Sequence, residues 1–217
     1  MAEYTGGKVH IAHISTAGAV DAVRRGKRRG VRVTSEVTPH HLLLTDEIVR
    51  ETSYDTSTKM NPPLRTEADR EAVVEGLRDG SIDCIATDHA PHKIDDKLVE
   101  YDHAAFGIVG LETAVPLILD RLVRPGVIDW LRFVDALSSA PARCLGLAGG
   151  TLAPGAPADI TVIAPKRRRR VDVTSFCSRG RNSPFGDWAL TGWPEMTFVG
   201  GRQVWSRSGG TSRSRRR

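Results

Sequence analysis

Apolar positions in this chain change their spacing several times, and each change marks a boundary between elements. Lys8 to Ile14 is a short apolar run that reads as a strand. Ala17 to Arg29 sets Ala19, Val20, Ala22 and Val23 against a basic flank, the pattern of a helix that Gly30 can stop. Val31 to Val37 alternates Val31, Val33, Ser35 and Val37 with polar residues and predicts a second strand. It runs into Thr38-Pro39, where proline disfavours helical geometry for its predecessor, so a loop is expected next. Thr66 to Arg78, rich in Glu, Ala, Leu and Arg and followed by Gly80, predicts a helix feeding a buried strand at Ile82 to Thr87. Gly110 to Leu122 and Trp130 to Leu137 have apolar residues at helical spacing. Ala140 to Leu147 reads as a further short helix closed by Gly149-Gly150. Strand and helix alternate to about residue 150, which argues for an α/β fold with a parallel sheet or barrel.

The pattern changes after Gly150. Thr151 to Ala158 is punctuated by proline and glycine, and Asp159 to Ala164 is a β-branched strand. Met196 to Trp205 gives two short strands around Gly200-Gly201, a hairpin signal. The chain therefore divides into an α/β part over residues 1–150, a small β-sandwich portion over 151–205 and a basic tail over 206–217. The tail lacks apolar content and is expected to be disordered. No internal repeat is visible.

Composition narrows the function classes. The 217 residues are 40% hydrophobic and 26% charged, as in a globular chain, and no apolar run reaches the roughly 18 residues that cross a bilayer. The N-terminus lacks a basic segment followed by an apolar one, so a cytosolic protein is expected. Cys84, Cys144 and Cys177 are odd in number and far apart in sequence, which argues against a disulfide framework or a zinc knuckle. The net charge of +5 resides in Arg207, Arg213, Arg215, Arg216 and Arg217 of the tail; without them basic and acidic residues balance at 26 each. Lys166 to Arg170 reads as a solvated loop between strands, without the aromatic interleaving of a nucleic-acid site.

Six of the seven histidines form three pairs at or just past predicted strand ends: His10 and His13, His40 and His41, His89 and His92. In α/β barrels these ends carry the catalytic groups. His10 lies three residues before His13 and so on the opposite strand face; only one of them can enter a site, and His13 is the candidate. Asp88, His89 and His92 in Ala86-Thr87-Asp88-His89-Ala90-Pro91-His92 offer oxygen and nitrogen donors for a divalent metal, or a base beside one. The bland alternative makes Asp88 a turn cap and His92 a surface histidine. Asn61 precedes a rigid Pro62-Pro63 step, suited to holding its amide against a polar substrate, although such a motif is also a simple loop.

Taken in order, His13-Ile14-Ser15, Thr38-Pro39-His40-His41, Lys59 to Arg65, Ala86 to His92 and Phe106 to Gly110 resemble the second half of the dihydroorotases. These are members of the amidohydrolase superfamily. The resemblance runs from about Lys8 to Trp205 and includes Ala158 to Val162 and Asn182 to Phe185. It implies a (β/α)8 barrel with a small β domain, and metal-dependent interconversion of N-carbamoyl-L-aspartate and L-dihydroorotate in pyrimidine synthesis. It makes His13 a zinc ligand of a binuclear centre and Asp88 both a ligand and the acid/base. Asn61 and His92 would hold the substrate, with the backbone at Phe106-Gly107 closing over the ring. A homodimer or an association with aspartate transcarbamoylase would fit the family; membrane and nucleic-acid partners would not.

The same resemblance defines what the chain lacks. The family's His-x-His strand, its bridging carboxylate or carboxylated lysine, another metal histidine and the arginine that grips the substrate carboxylate all lie upstream of the segment matching Lys8. A barrel takes about 200 or more residues and only about 140 belong to the α/β part, so an incomplete (β/α)8 barrel of later strands only is expected. Such a fragment should be poorly stable and inactive alone, and His13 with Asp88 supplies too few donors for tight zinc binding. Met1 to Gly7 and the tail are not expected to continue the family's pattern. Rival readings are an allantoinase, hydantoinase or dihydropyrimidinase; a non-catalytic dihydroorotase-like subunit of aspartate transcarbamoylase; and, last, a nucleic-acid binder using the tail.

Overall fold

The computed structural model describes residues 1–207 and 210–211. After a short helix α1 (Ala2–Thr5), strand β1 (Val9–Ile11) occupies only part of its apolar run. The chain leaves it because His13 turns into the left-handed region at φ 37°. Helix α2 (Ala17–Arg28) starts where Thr16 accepts the Ala19 N–H and ends on Arg25, Lys27 and Arg28, whose charges suit the negative end of the helix. It buries Val20 and Val23. Strand β2 (Val33–Val37) pairs with β1 in parallel, Val9 opposite Val33 and Ile11 opposite Ser35.

The loop expected after Thr38-Pro39 is instead helix α3 (Pro39–Leu43). Thr38 remains extended, as the following proline requires, and Pro39 takes the first helical turn, where its missing N–H is no loss. A second short helix, α4 (Glu47–Glu51), precedes α5 (Glu67–Arg78). Thr66 caps α5 by accepting the Asp69 N–H, and Gly76 lets it approach α2 closely, since a Cβ there would stand 2.9 Å from Val20. Strand β3 (Cys84–Ile85) is shorter than Ile82 to Thr87 for the reason that shortened β1: Asp88 turns left-handed at φ 46°. It pairs in parallel with β2, and the Asp83 carboxylate extends the pairing by accepting the Ser35 N–H at 2.8 Å and holding Lys27 at 2.8 Å.

Helices α6 (Ala114–Ile118) and α7 (Trp130–Val134) each widen into a π-helical stretch, Leu119–Val123 and Asp135–Ser139. Helix α8 (Ala140–Leu145) ends at Gly146 (φ 68°), earlier than the expected Gly149-Gly150 stop; Gly150 instead packs against Ser138 and Ser139. Cys144 on α8 brings its sulfur to 3.5 Å from that of Cys84 on β3, so two of the thiols separated in sequence are neighbours in space.

The remaining strands form one antiparallel sheet in the order β4 (Ile160–Arg170), β5 (Ala189–Val199), β6 (Arg202–Ser206), β7 (Gly210–Thr211). Two packed sheets, as in a sandwich, are not seen among the described residues. Lys166 to Arg170, expected as a loop, belongs to β4, with Arg168, Arg169 and Arg170 opposite Thr191, Leu190 and Ala189. An edge strand bonds through its backbone on one side while its side chains stay in water, which suits an arginine run. The hairpin at Gly200-Gly201 forms as expected, both glycines having positive φ. Of the tail expected to be disordered, Ser206 closes β6 and Arg207 lies over the Trp193 and Trp205 rings, so order extends past residue 205 because a cation meets two aromatic faces there. Residues 208–209 and 212–217 lie outside the described residues.

Two apolar clusters hold these elements. One joins Val20, Val23, Val37, Val73, Leu77, Ile82 and Ile85 with the later helices, covering one face of the parallel sheet. The other gathers Leu64, Ile108 and Leu117 with Phe185, Leu190 and Trp193, and so spans the boundary placed at residue 150. Gly192, at φ 95°, lets β5 cross Leu119, where a Cβ would stand 2.8 Å away. No helix among the described residues is long and apolar enough to cross a membrane.

Candidate active site

The parallel order β1, β2, β3 brings the segments after the three strands to one end of the sheet. His13 follows β1, the helix-opening pair His40-His41 follows β2, and Asp88 follows β3. His13 and Asp88 are both non-glycine residues at positive φ, a backbone conformation that neighbouring structure must impose. His10, as expected, faces elsewhere: its ring bonds Thr34 at 2.7 Å and Glu36 at 3.1 Å on β2.

His41 ties the end of β2 to the loop at Pro62. Its Nε2–H donates to the Pro62 carbonyl at 2.9 Å and its Nδ1 accepts from the Thr38 hydroxyl at 2.7 Å, so the ring is neutral with a fixed tautomer. Burial, together with the nearby His13 and Arg65 charges, pushes it down to about 4 despite its bond to Pro62 and the attraction of Asp88. His40, its ring centroid 4.5 Å away, is held far below the ordinary histidine range by burial and then by His41 and His13. Among the described residues its buried Nε2 has no partner, and neither has the buried Nε of Arg65.

A second group surrounds His92. Its Nε2–H donates to the Phe106 carbonyl at 2.8 Å. With Nε2 engaged, a neutral ring leaves Nδ1 as an acceptor, so donation to a substrate oxygen would require a second proton or a turn of the ring. Gly107, at φ 109°, passes so close to Ala90 that a Cβ would stand 2.5 Å from its methyl. Its N–H donates to the Lys59 carbonyl at 2.9 Å, while the Lys59 ammonium donates to the Asp102 carbonyl at 2.7 Å and stands 4.5 Å from the Phe106 ring centre. Asn182 locks the two loops: its amide donates to Ala90 and Gly107 carbonyls at 2.9 and 3.0 Å, and its Oδ1 accepts the His92 N–H at 3.2 Å. Asn61 is exposed on the loop whose next residue, Pro62, is held by His41.

The profile of the amidohydrolase family matches residues 2–204. The chain belongs to the amidohydrolase family. The match begins ahead of Lys8, so residues 2–7, expected to fall outside the pattern, lie within it. Among its relatives the chain is 58% identical to a dihydroorotase of Pelotomaculum thermopropionicum over 204 residues, covering 94% of this chain and 47% of that protein. It is 52% identical to a dihydroorotase of Bacillus caldolyticus over 207 residues, 95% of this chain and 48% of the relative. The chain thus spans about half the length of these curated relatives. Among solved structures, an L-hydantoinase (dihydropyrimidinase) from Arthrobacter aurescens superposes with a TM-score of 0.88 at 28% identity, over 93% of this chain and 46% of its own. A D-hydantoinase from Thermus sp. gives 0.87 at 30% identity, over 93% and 45%.

His13 and Asp88 carry the nitrogen and oxygen donors that a metal accepts. A zinc centre takes at least three protein ligands. Among the described residues, the one set of three donor atoms within 4.8 Å of one another is Glu100, Asp102 and His103, exposed on a turn and separate from His13 and Asp88. Sequence reasoning missed Asn182, Lys59 and the buried role of His41. It named Asn182 within a motif, but nothing local signals bonds to residues some 90 positions away.

Proposed function

We propose that this chain is the later portion of a dihydroorotase-type cyclic-amide hydrolase. Residues 1–150 contribute the later strands of a (β/α)8 barrel, and residues 151–205 the small β unit. The observation that carries the reading is the placement of His13, the His40-His41 pair and Asp88 in the segments that follow three neighbouring parallel strands. The dihydroorotase relatives support the substrate class. In this reading His13 and Asp88 are zinc ligands, and the other donors come from chain outside this sequence. A zinc held there would supply Lewis acidity, easing loss of a proton from water at neutral pH and drawing electrons from the amide carbonyl. The Asp88 carboxylate takes the proton from the attacking oxygen and delivers it to the departing ring nitrogen. Asn61 and His92 hold the polar edges of the substrate, and the Phe106-Gly107 backbone, fixed by Asn182 and Lys59, lies over its ring. His40 and His41, neutral and buried, set the loop geometry without adding charge.

The structural neighbours named as hydantoinases favour a second reading within the same chemistry, a hydantoinase or dihydropyrimidinase. The test extends this chain with the remaining half of the Pelotomaculum thermopropionicum relative and measures ring opening of dihydroorotate, hydantoin and allantoin. Preference for dihydroorotate is expected, and preference for hydantoin would transfer the assignment. In the same protein Asp88→Asn should lower kcat roughly a hundred- to ten-thousand-fold, while His92→Ala should act mainly on KM. Unchanged activity in either variant removes that residue from its role.

A further inference from the structure

We propose that Cys84 and Cys144 are a redox modification site, closing into a reversible disulfide that fastens β3 to α8. The two sulfurs are 3.5 Å apart although 60 positions separate the residues, and both thiols are free. Bond formation requires them to close by about 1.5 Å, within the reach of small χ adjustments. Their surroundings set an order of events. Cys84 is buried, and burial with Cys144 beside it pushes its thiol up to about 12, so it is a poor first nucleophile. Cys144 is half-buried, so of the two sulfurs it is the one a dissolved oxidant can reach first.

The oxidant is a low-molecular-weight disulfide such as oxidised glutathione. The Cys144 thiolate attacks one of its sulfurs, that S–S bond breaks, and one glutathione leaves as thiolate and takes a proton from water. Cys84 then loses its proton to solvent and attacks the Cys144 sulfur, expelling the second glutathione. Two protein thiols are oxidised and one disulfide is reduced, so the two electrons balance. The bond would anchor β3 four residues before Asp88. Cys177, exposed, takes no part.

The test uses the full chain carrying Cys177→Ser, incubated with oxidised glutathione and analysed by intact mass and peptide mapping. Expected are the loss of two hydrogens, no retained adduct, a Cys84–Cys144 linked peptide, and a melting temperature raised by roughly 10 °C over the same sample reduced with dithiothreitol. Cys84→Ala should trap one glutathione on Cys144, and Cys144→Ala should leave Cys84 unmodified. Two surviving thiols, a lasting adduct on the chain that keeps both cysteines, or links between molecules would overturn the proposal. So would a scrambled mixture of pairings with Cys177 in the unsubstituted chain.

Discussion

Replacing Asn182 by alanine removes three hydrogen bonds at once. The buried side chain donates to the carbonyls of Ala90 and Gly107 and accepts the N–H of His92, joining the loop after β3 to the Phe106-Gly107 segment. Each such bond contributes about 1 kcal/mol net, so the variant should lose about 3 kcal/mol, with two carbonyls and one N–H left without partners. In a chain of this size that corresponds to a melting temperature lower by roughly 6–12 °C. Asn182→Asp sharpens the test. It keeps an acceptor for His92 but turns carboxylate oxygen toward two carbonyl oxygens, so it should destabilise at least as much as alanine. Urea unfolding followed by far-UV circular dichroism measures both variants. A loss below about 1 kcal/mol for alanine, or an aspartate variant more stable than the alanine one, would refute the account of the lock.

Gly107→Ala should destabilise by at least about 2 kcal/mol, from a left-handed backbone and a Cβ that meets Ala90. Adding Ala90→Gly relieves the clash but not the strain, so thermal melts of the double variant should recover only part of the loss, and full recovery would exclude the backbone term. His41 titrates near 4 when folded against an ordinary 6.5, so its contribution is complete above about pH 6.5 and disappears as pH falls through about 4. The loss reaches about 3 kcal/mol, and His40 acts in the same direction. Urea unfolding at successive pH values should show this decline, weakened in His41→Gln; equal slopes would assign the acid sensitivity elsewhere.

The helices were legible where their signals are local. α2 and α5 begin on Thr16 and Thr66 and follow a 3.6-residue apolar repeat, so neighbouring residues suffice to place them. The strands were overextended because apolar runs continue to His13 and Asp88 while the backbone turns there, and a turn imposed by distant packing leaves no mark in residue type. The arginines of β4 read as solvated loop and are solvated, but backbone pairing with β5 is invisible to side-chain chemistry. His13, Asp88 and His92 stand out as candidates from their motifs alone. The Lys59 and Asn182 ties and the meeting of Cys84 with Cys144 depend on contacts made only after the chain closes on itself.

His13 and Asp88 hold torsions that a glycine would adopt without penalty and that any other residue resists by about 1 kcal/mol or more. Glycine at either place would make the chain sturdier while deleting a side chain that the proposed chemistry uses. Selection for heat resistance alone would therefore erode these two positions first, and thermostabilised descendants of this sequence should be checked there before their silence is blamed on anything else.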